Sequence, residues 1–483
     1  MKLKNNIIII LVSLMLLTAC DSGFEDLNKD PNRIDMISEG SLLSPILYEM
    51  ACFNYKRADD FTFDIMQNSL SFPSNGLNLA HYYLTESSGN GTWNTSYQWL
   101  TAIREMYTIA VKNNSVNYQA IALTLNSWVY ANLTDCFGDI PMEEACRAEE
   151  GILHPKFNTQ KEVYTKILED LETANSLFDT KSKLIYVGDI LYNADTETDG
   201  ILRWKKFCNS LRLRCLLRIS KRNSEMNVYT EVKRVLDNPT VYPIFENDED
   251  GALLSISGIA PQLPPIARPQ DFTTGRAVSE FFIDNLITMD DPRLSIFASK
   301  AKDLDNKTIG YKGIPSGYVV GTTFDYNPSN FNQVMAKAPM KIIFMSTAEV
   351  KFILAELAQK QIITADAEQY YKEGVISAIS HWGGTVPEKY FDNPNTVYNG
   401  TLERIIMQKY YALFFTDFQQ WFEYRRTGYP KLPDNGGLLN DGQMPVRYQY
   451  PPVVVRMNNE NYKVAVQNMG GDNINVKLWW EKD

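Results

Sequence analysis

The sequence predicts an all-α fold, a tetratricopeptide-like superhelix of helix pairs carrying long irregular loop insertions. Two observations lead there. Apolar residues recur at spacings of three and four through several long stretches, with charged residues between them. Between those stretches lie segments rich in Gly, Pro, Asn, Asp and Ser with scattered aromatics. The 483 residues are 44% hydrophobic and 22% charged, the composition of a globular chain, and a helical repeat of this length forms one body.

Lys2 and Lys4 open the chain, and the apolar run 7–17 follows, broken only by Ser13. The run is shorter than the roughly 20 residues a spanning helix needs and suits a signal-peptide core of about 7–15. Leu17-Thr18-Ala19-Cys20 then sets small residues before a cysteine, the pattern of a lipobox. Residues 1–19 are therefore expected to be a lipoprotein signal peptide, with Cys20 as the lipid attachment. The tether covers 20–40, and 41–483 form a single helical domain. No later stretch is apolar for long enough to span a bilayer, so the body is read as soluble and tethered by its acyl chains.

Helices follow from periodicity. An early pair covers 97–111 and 118–135. In 161–178, Val163, Ile167, Leu168, Leu171 and Leu177 share one face; in 204–221, Phe207, Leu211, Leu213, Leu216, Leu217 and Ile219 repeat the pattern. Ser346 with Glu349 reads as a capping box that opens a helix to Lys360, and 366–382 follows closely enough to fold back as a hairpin. The last long stretch, 402–426, is rich in aromatics. The loops are 69–94, 180–202, 246–271 and 303–338, and function is expected on them.

Several chemistries are excluded. Lys and Arg number 47 against 58 acids, a net charge of −11, which rules against a nucleic-acid partner. Three histidines leave little for a zinc site or a catalytic relay, and no P-loop, GxSxG or HExxH pattern occurs. The stretch from Asp195 to Gly200 imitates the start of a calcium loop, but its twelfth position is Lys206 where a bidentate Glu is needed. No metal and no cofactor is expected. Adjacent acids such as Glu143/Glu144 and Asp290/Asp291 diverge, so glycoside hydrolysis lacks a facing carboxyl pair, and the chain is read as not an enzyme. Five cysteines remain beyond Cys20, an odd number that argues against a disulfide framework. Cys208 and Cys215 fall on one helix as small core groups; a Cys136–Cys146 bridge stays open.

A series of motifs then accumulates in order. Phe24-Glu25-Asp26-Leu27-Asn28-Lys29-Asp30-Pro31-Asn32 comes first, and Leu133-Thr134-Asp135-Cys136-Phe137-Gly138-Asp139-Ile140-Pro141 second. Trp204-Lys205-Lys206-Phe207-Cys208-Asn209-Ser210-Leu211-Arg212-Leu213-Arg214 is third. Asp290-Asp291-Pro292-Arg293-Leu294, Ala348-Glu349-Val350, Trp421-Phe422-Glu423-Tyr424-Arg425-Arg426-Thr427-Gly428 and Trp479-Trp480 complete it. Together they resemble the SusD/RagB-like nutrient-binding outer-membrane lipoproteins of Bacteroidetes. Asp21, Glu25 and Asp26 after the lipidated cysteine resemble the surface-export signals of such proteins. The resemblance implies four tetratricopeptide-like helix pairs and a lid-like role over a SusC-like TonB-dependent outer-membrane transporter. It also implies an oligosaccharide or peptide ligand, and outer-membrane lipid around acylated Cys20. The motifs themselves read as scaffold. Trp204, Phe207 and Leu211 are core, Arg212 and Arg214 pair with acids or cover apolar surface, and Gly138 ends a helix with Asp139 bonding nearby backbone.

A binder of glycans needs aromatic faces for the C–H faces of sugar rings and polar groups for the hydroxyls; peptides use similar platforms. The loops offer Phe72, Tyr82, Tyr83, Trp93, Tyr318, Phe324, Tyr326 and Phe331 as ligand-binding candidates, with Trp93 and Tyr83 foremost. The competing reading is that these rings pin the loops to the scaffold. Glycan uptake leads; peptide capture is second, and a surface adhesin or a glycoside hydrolase stands further back.

Overall fold

The structure is a computed structural model that describes residues 37–74 and 76–483. Cys20, the motif from Phe24 to Asn32, and Asn75 lie outside the described residues. Glu39–Asp483 form one compact unit.

Its framework is a succession of packed helices. α1 (Glu39–Arg57) lies against α2 (Asn90–Lys112), which pairs with α3 (Val116–Phe137). α4 (Gln160–Leu177) packs on α3 and on α5 (Gly200–Arg218). α6 (Thr347–Gln359) and α7 (Ala367–His381) form the expected hairpin, and α8 (Leu402–Ala412) lies on both; α9 (Gln419–Thr427) follows. The all-α helical repeat is thus the observed fold.

Local chemistry sets the ends. Thr159 and Glu162 close a capping box at the start of α4, with the Thr159 N–H reaching Glu162 Oε2 at 2.7 Å. Ser346 accepts the Glu349 N–H at 3.3 Å, but the box read there is only half made. The Glu349 carboxylate turns to Arg214 instead, at 2.7 and 2.6 Å. α3 stops at Gly138, whose φ of 90° favours glycine, and Asp139 Oδ1 accepts the Gln160 N–H at 2.9 Å.

The stretch read as one helix over 402–426 is two. Phe415 and Asp417 take positive φ between α8 and α9, because the Phe415 ring stacks on Tyr55 (4.6 Å) and the Asp417 carbonyl accepts the Thr62 hydroxyl (2.6 Å). Such tertiary anchors override helix propensity.

Trp204, Phe207, Leu211, Cys208 and Cys215 are buried as expected. Arg212 pairs with Glu172 and, at 3.0 Å, with Glu231. Cys136 and Cys146 are both free thiols, so the bridge left open does not form. Lys206, at the failed calcium-loop position, bonds Asp250 at 2.9 Å. Among the described residues no cluster of His, Cys, Asp or Glu suits a metal ion.

The loops hold short antiparallel strands. β1 (Ser69–Ser71) pairs with β3 (Arg276–Val278), β2 (Ala252–Ile256) with β7 (Met340–Met345), and β4 (Ala301–Asp303) lies between β5 (Thr308–Gly310) and β6 (Tyr326–Asn327). Partners as far apart as Ser69 and Val278 leave no local periodic signal.

Candidate functional site

The loop aromatics fall into three groups. Phe72, Tyr318, Phe324 and Tyr326 come together, with Phe324 lying 5.8 Å from Phe72, 5.7 Å from Tyr318 and 5.7 Å from Tyr326. Their hydroxyls go to backbone: Tyr318 donates to the Ser71 carbonyl at 3.2 Å and Tyr326 to the Gly313 carbonyl at 2.8 Å. His81 Nε2 lies 3.0 Å from the Tyr318 carbonyl, and the Leu439 N–H donates to the His81 carbonyl at 2.9 Å. Gly437 lets a third loop approach, since a Cβ there would collide with the Tyr318 carbonyl. Three loops are therefore tied into one surface, with Phe72 and Phe324 half-buried.

Tyr82 and Tyr83 form the second group and differ in burial. Tyr82, at φ 60°, turns its ring inward, where its hydroxyl accepts Gln67 Nε2 at 3.1 Å. Tyr83 stays 41% exposed.

Trp93 and Phe331 are the third group, and both correct the expectation of exposed loop rings. α2 begins at Asn90, so Trp93 lies in its first turn, only 7% exposed, with Tyr97 and Phe137 each 5.0 Å away and Tyr450 at 5.8 Å. Phe331 is buried against Phe63, Phe272 and Phe414. Tyr82, Tyr318 and Tyr326 are buried as well. Burial of a ring with its hydroxyl satisfied is the signature of a pin, not of an open platform.

A cleft of ≈ 680 Å³ opens elsewhere on the loop-rich side. The sheet edge of β2 and β7 supplies Ser255, Ile256, Lys341 and Ile342; α1 supplies Tyr55; the end of α7 supplies His381 and Trp382. The Tyr55 ring stacks on Phe415 and its hydroxyl donates to the Met335 carbonyl at 3.1 Å, which fixes that wall. Trp382 is half-buried, with Phe297 edge-on at 5.1 Å and Phe415 tilted against it at 5.8 Å, so the indole is packed on aromatic neighbours while lining the opening. His381 stands perpendicular to it at 5.1 Å. Burial, with the Lys341 ammonium adding to it, pushes that imidazole down to about 4, so it is neutral at ordinary pH. A rigid ring beside Ser255, Ser257, Gln262 and two lysines can take a sugar-sized body and bond its polar edge.

Sequence reasoning stopped at Trp382 as a helix end. The signal in the chain was the pair Gly383-Gly384, which ends α7 directly after an aromatic and frees that ring from the next turn.

One carboxyl of each adjacent pair in the sequence is engaged otherwise. Asp291 is bound by Arg293 at 2.7 Å and by the Tyr390 hydroxyl at 2.6 Å, and Glu144 accepts the Lys156 N–H at 2.9 Å.

The SusD-like family model, described as starch-binding and associating with the outer membrane, matches residues 31–451. This chain belongs to the SusD-like family. Solved structures agree in fold. A SusD homolog from Bacteroides fragilis NCTC 9343 is 24% identical over 92% of this chain and 100% of its own, with a TM-score of 0.77. A SusD homolog from Bacteroides uniformis ATCC 8492 is 21% identical over 93% and 100%, with a TM-score of 0.78. A chitin-binding protein is 23% identical over 92% and 100%, with a TM-score of 0.77. No curated protein matches the chain. SusD-like proteins are binding proteins rather than enzymes, and no described helix is long and apolar enough to cross a membrane.

Proposed function

We propose that this SusD-like chain captures an oligosaccharide at the outer-membrane surface, held there by acylated Cys20, and passes it uncut to a SusC-like TonB-dependent transporter. The observation that carries the reading is the cleft at Trp382. It combines a fixed indole with polar side chains in a volume fit for sugar rings, in a family described as starch-binding. Tyr83, Phe72 and Phe324 serve as outer contact points for a longer ligand, while Trp93, Tyr82, Tyr318, Tyr326 and Phe331 act as framework. Modest affinity suffices for a receptor tethered beside its transporter.

Calorimetric titration of the full chain in detergent with a glycan panel tests this. The expected result is binding of at least one oligosaccharide class, release of no shorter product, and a loss of at least tenfold, about 1.4 kcal/mol, in Trp382→Ala. Binding of peptides alone, or turnover of a glycan, sinks the reading.

A further inference from the structure

We infer that the Trp382 cleft selects an anionic saccharide, a hexuronate unit whose ring lies on Trp382 and whose carboxylate sits between Lys337 and Lys341. This rests on the reading of the cleft as a glycan site and names the class of glycan. The first support is charge. The chain carries 58 acids against 47 Lys and Arg, yet two lysines, Lys337 and Lys341, line this cleft beside the neutral His381, and no Asp or Glu does. A basic lining in an acidic protein is a local reversal that favours an anion over the rest of the surface.

The second support is that these charges are idle in the fold. Buried cations of the framework are matched, Arg214 to Glu349 at 2.6 Å, Arg293 to Asp291 at 2.7 Å and Arg426 to Glu356 at 2.5 Å. Lys337 and Lys341 are exposed and make no ion pair among the described residues. The third is geometry. Lys341 is the second residue of β7 and stands directly across from Ser255 of β2, both on the exposed face of the pleat, so an ammonium and a hydroxyl are presented side by side. The Trp382 indole N–H and the His381 ring nitrogens bond no protein group among the described residues and stay available to a polar ligand. An aromatic face with adjoining cations matches a ring that is apolar on one face and charged at one edge. A neutral sugar would leave both ammoniums with water as their only partner.

The test is titration of the full chain in detergent with an oligogalacturonide and with its methyl ester, which keeps the shape and removes the charge. Neutral glucose and xylose oligomers and an oligoglutamate peptide complete the panel. The acid form is expected to bind at least tenfold more tightly than the ester, and to weaken as salt rises while the ester does not. Lys337→Gln with Lys341→Gln is expected to abolish that preference and leave the melting temperature unchanged, since both side chains are exposed. Equal binding of acid and ester, a preference that survives the double substitution, or binding of neutral glycans alone overturns the anionic assignment and leaves the glycan reading standing. Binding of oligoglutamate without any saccharide, or of no glycan at all, overturns both.

Discussion

The helix pairs and the loop-rich side bury polar groups in opposite ways. In the framework, charges are buried with charges. Arg426 bridges Glu356 and Glu423, Lys409 reaches Glu423 at 2.8 Å, and Arg218 lies 3.3 Å from Asp135. On the loop side, hydroxyls and amides are spent on backbone carbonyls instead. Tyr318 and Tyr326 each hold one, and Asn330 Nδ2 reaches the Thr273 and Arg276 carbonyls, both at 2.8 Å. A buried charge that loses its partner stays costly, whereas a neutral donor that is removed leaves one carbonyl to find water. The framework is therefore brittle to single changes, and the loops can vary while the scaffold holds.

The sharpest way to break that contrast is Glu356→Gln, which strands Arg426 beside a single carboxylate. Unfolding by urea should show a loss of about 3–5 kcal/mol, against about 1 kcal/mol for Tyr318→Phe in the loops. Similar losses for the two would erase the distinction.

Trp93→Ala comes next, because this ring stands foremost with Tyr83 among the ligand candidates of the sequence and is buried among aromatic rings in the structure. Its removal from contact with Tyr97, Phe137 and Tyr450 should cost about 3 kcal/mol, with glycan affinity unchanged. A stable variant with weakened binding would return Trp93 to the ligand.

These outcomes bear on what a sequence reader can see. The helices were legible, because Ser346 caps locally and Trp204, Phe207 and Leu211 repeat on one face. The charge pairing of Arg212 was legible too, since a charge buried by periodicity must find a partner. Loop aromatics were not, because whether a ring is open or sealed depends on distant segments. Tyr318 is buried by partners at Ser71 and His81, far away in the chain. Trp93 was misplaced by the helix start, the least certain feature of any periodic pattern. Trp382 escaped notice because a ring at a helix end looks the same whether it faces core or cleft.

Titration divides the buried carboxyls by partner rather than by region. Against the burial that would raise it, Arg426 holds Glu356 down to about 2. Its stabilisation is complete above its unfolded value and is lost as pH falls through the folded one. Burial pushes Asp64, Asp135, Asp139 and Asp417 up to about 6. For these the sign reverses: the folded chain holds protons that the unfolded chain has released, so their contribution is present below about 3.9 and lost as pH rises through about 6, on the order of 3 kcal/mol per group. Scanning calorimetry should find the highest melting temperature near pH 4, falling as pH rises through about 6 and again as it drops toward 2. A maximum above pH 7 would mean that partners outweigh burial at those four aspartates.

The smallest expected effect lies at Tyr83, the most open of the loop candidates. Its neighbour Tyr82 adopts φ 60° and is buried, while Tyr83 is 41% exposed. Tyr83→Ala should leave stability within about 0.5 kcal/mol. Because the primary grip is assigned to Trp382, glycan binding should weaken by no more than about threefold, roughly 0.6 kcal/mol. A tenfold loss in this variant, with Trp382→Ala binding normally, would move the primary subsite from the cleft to the loop surface and make the rings read from the sequence the place of capture after all.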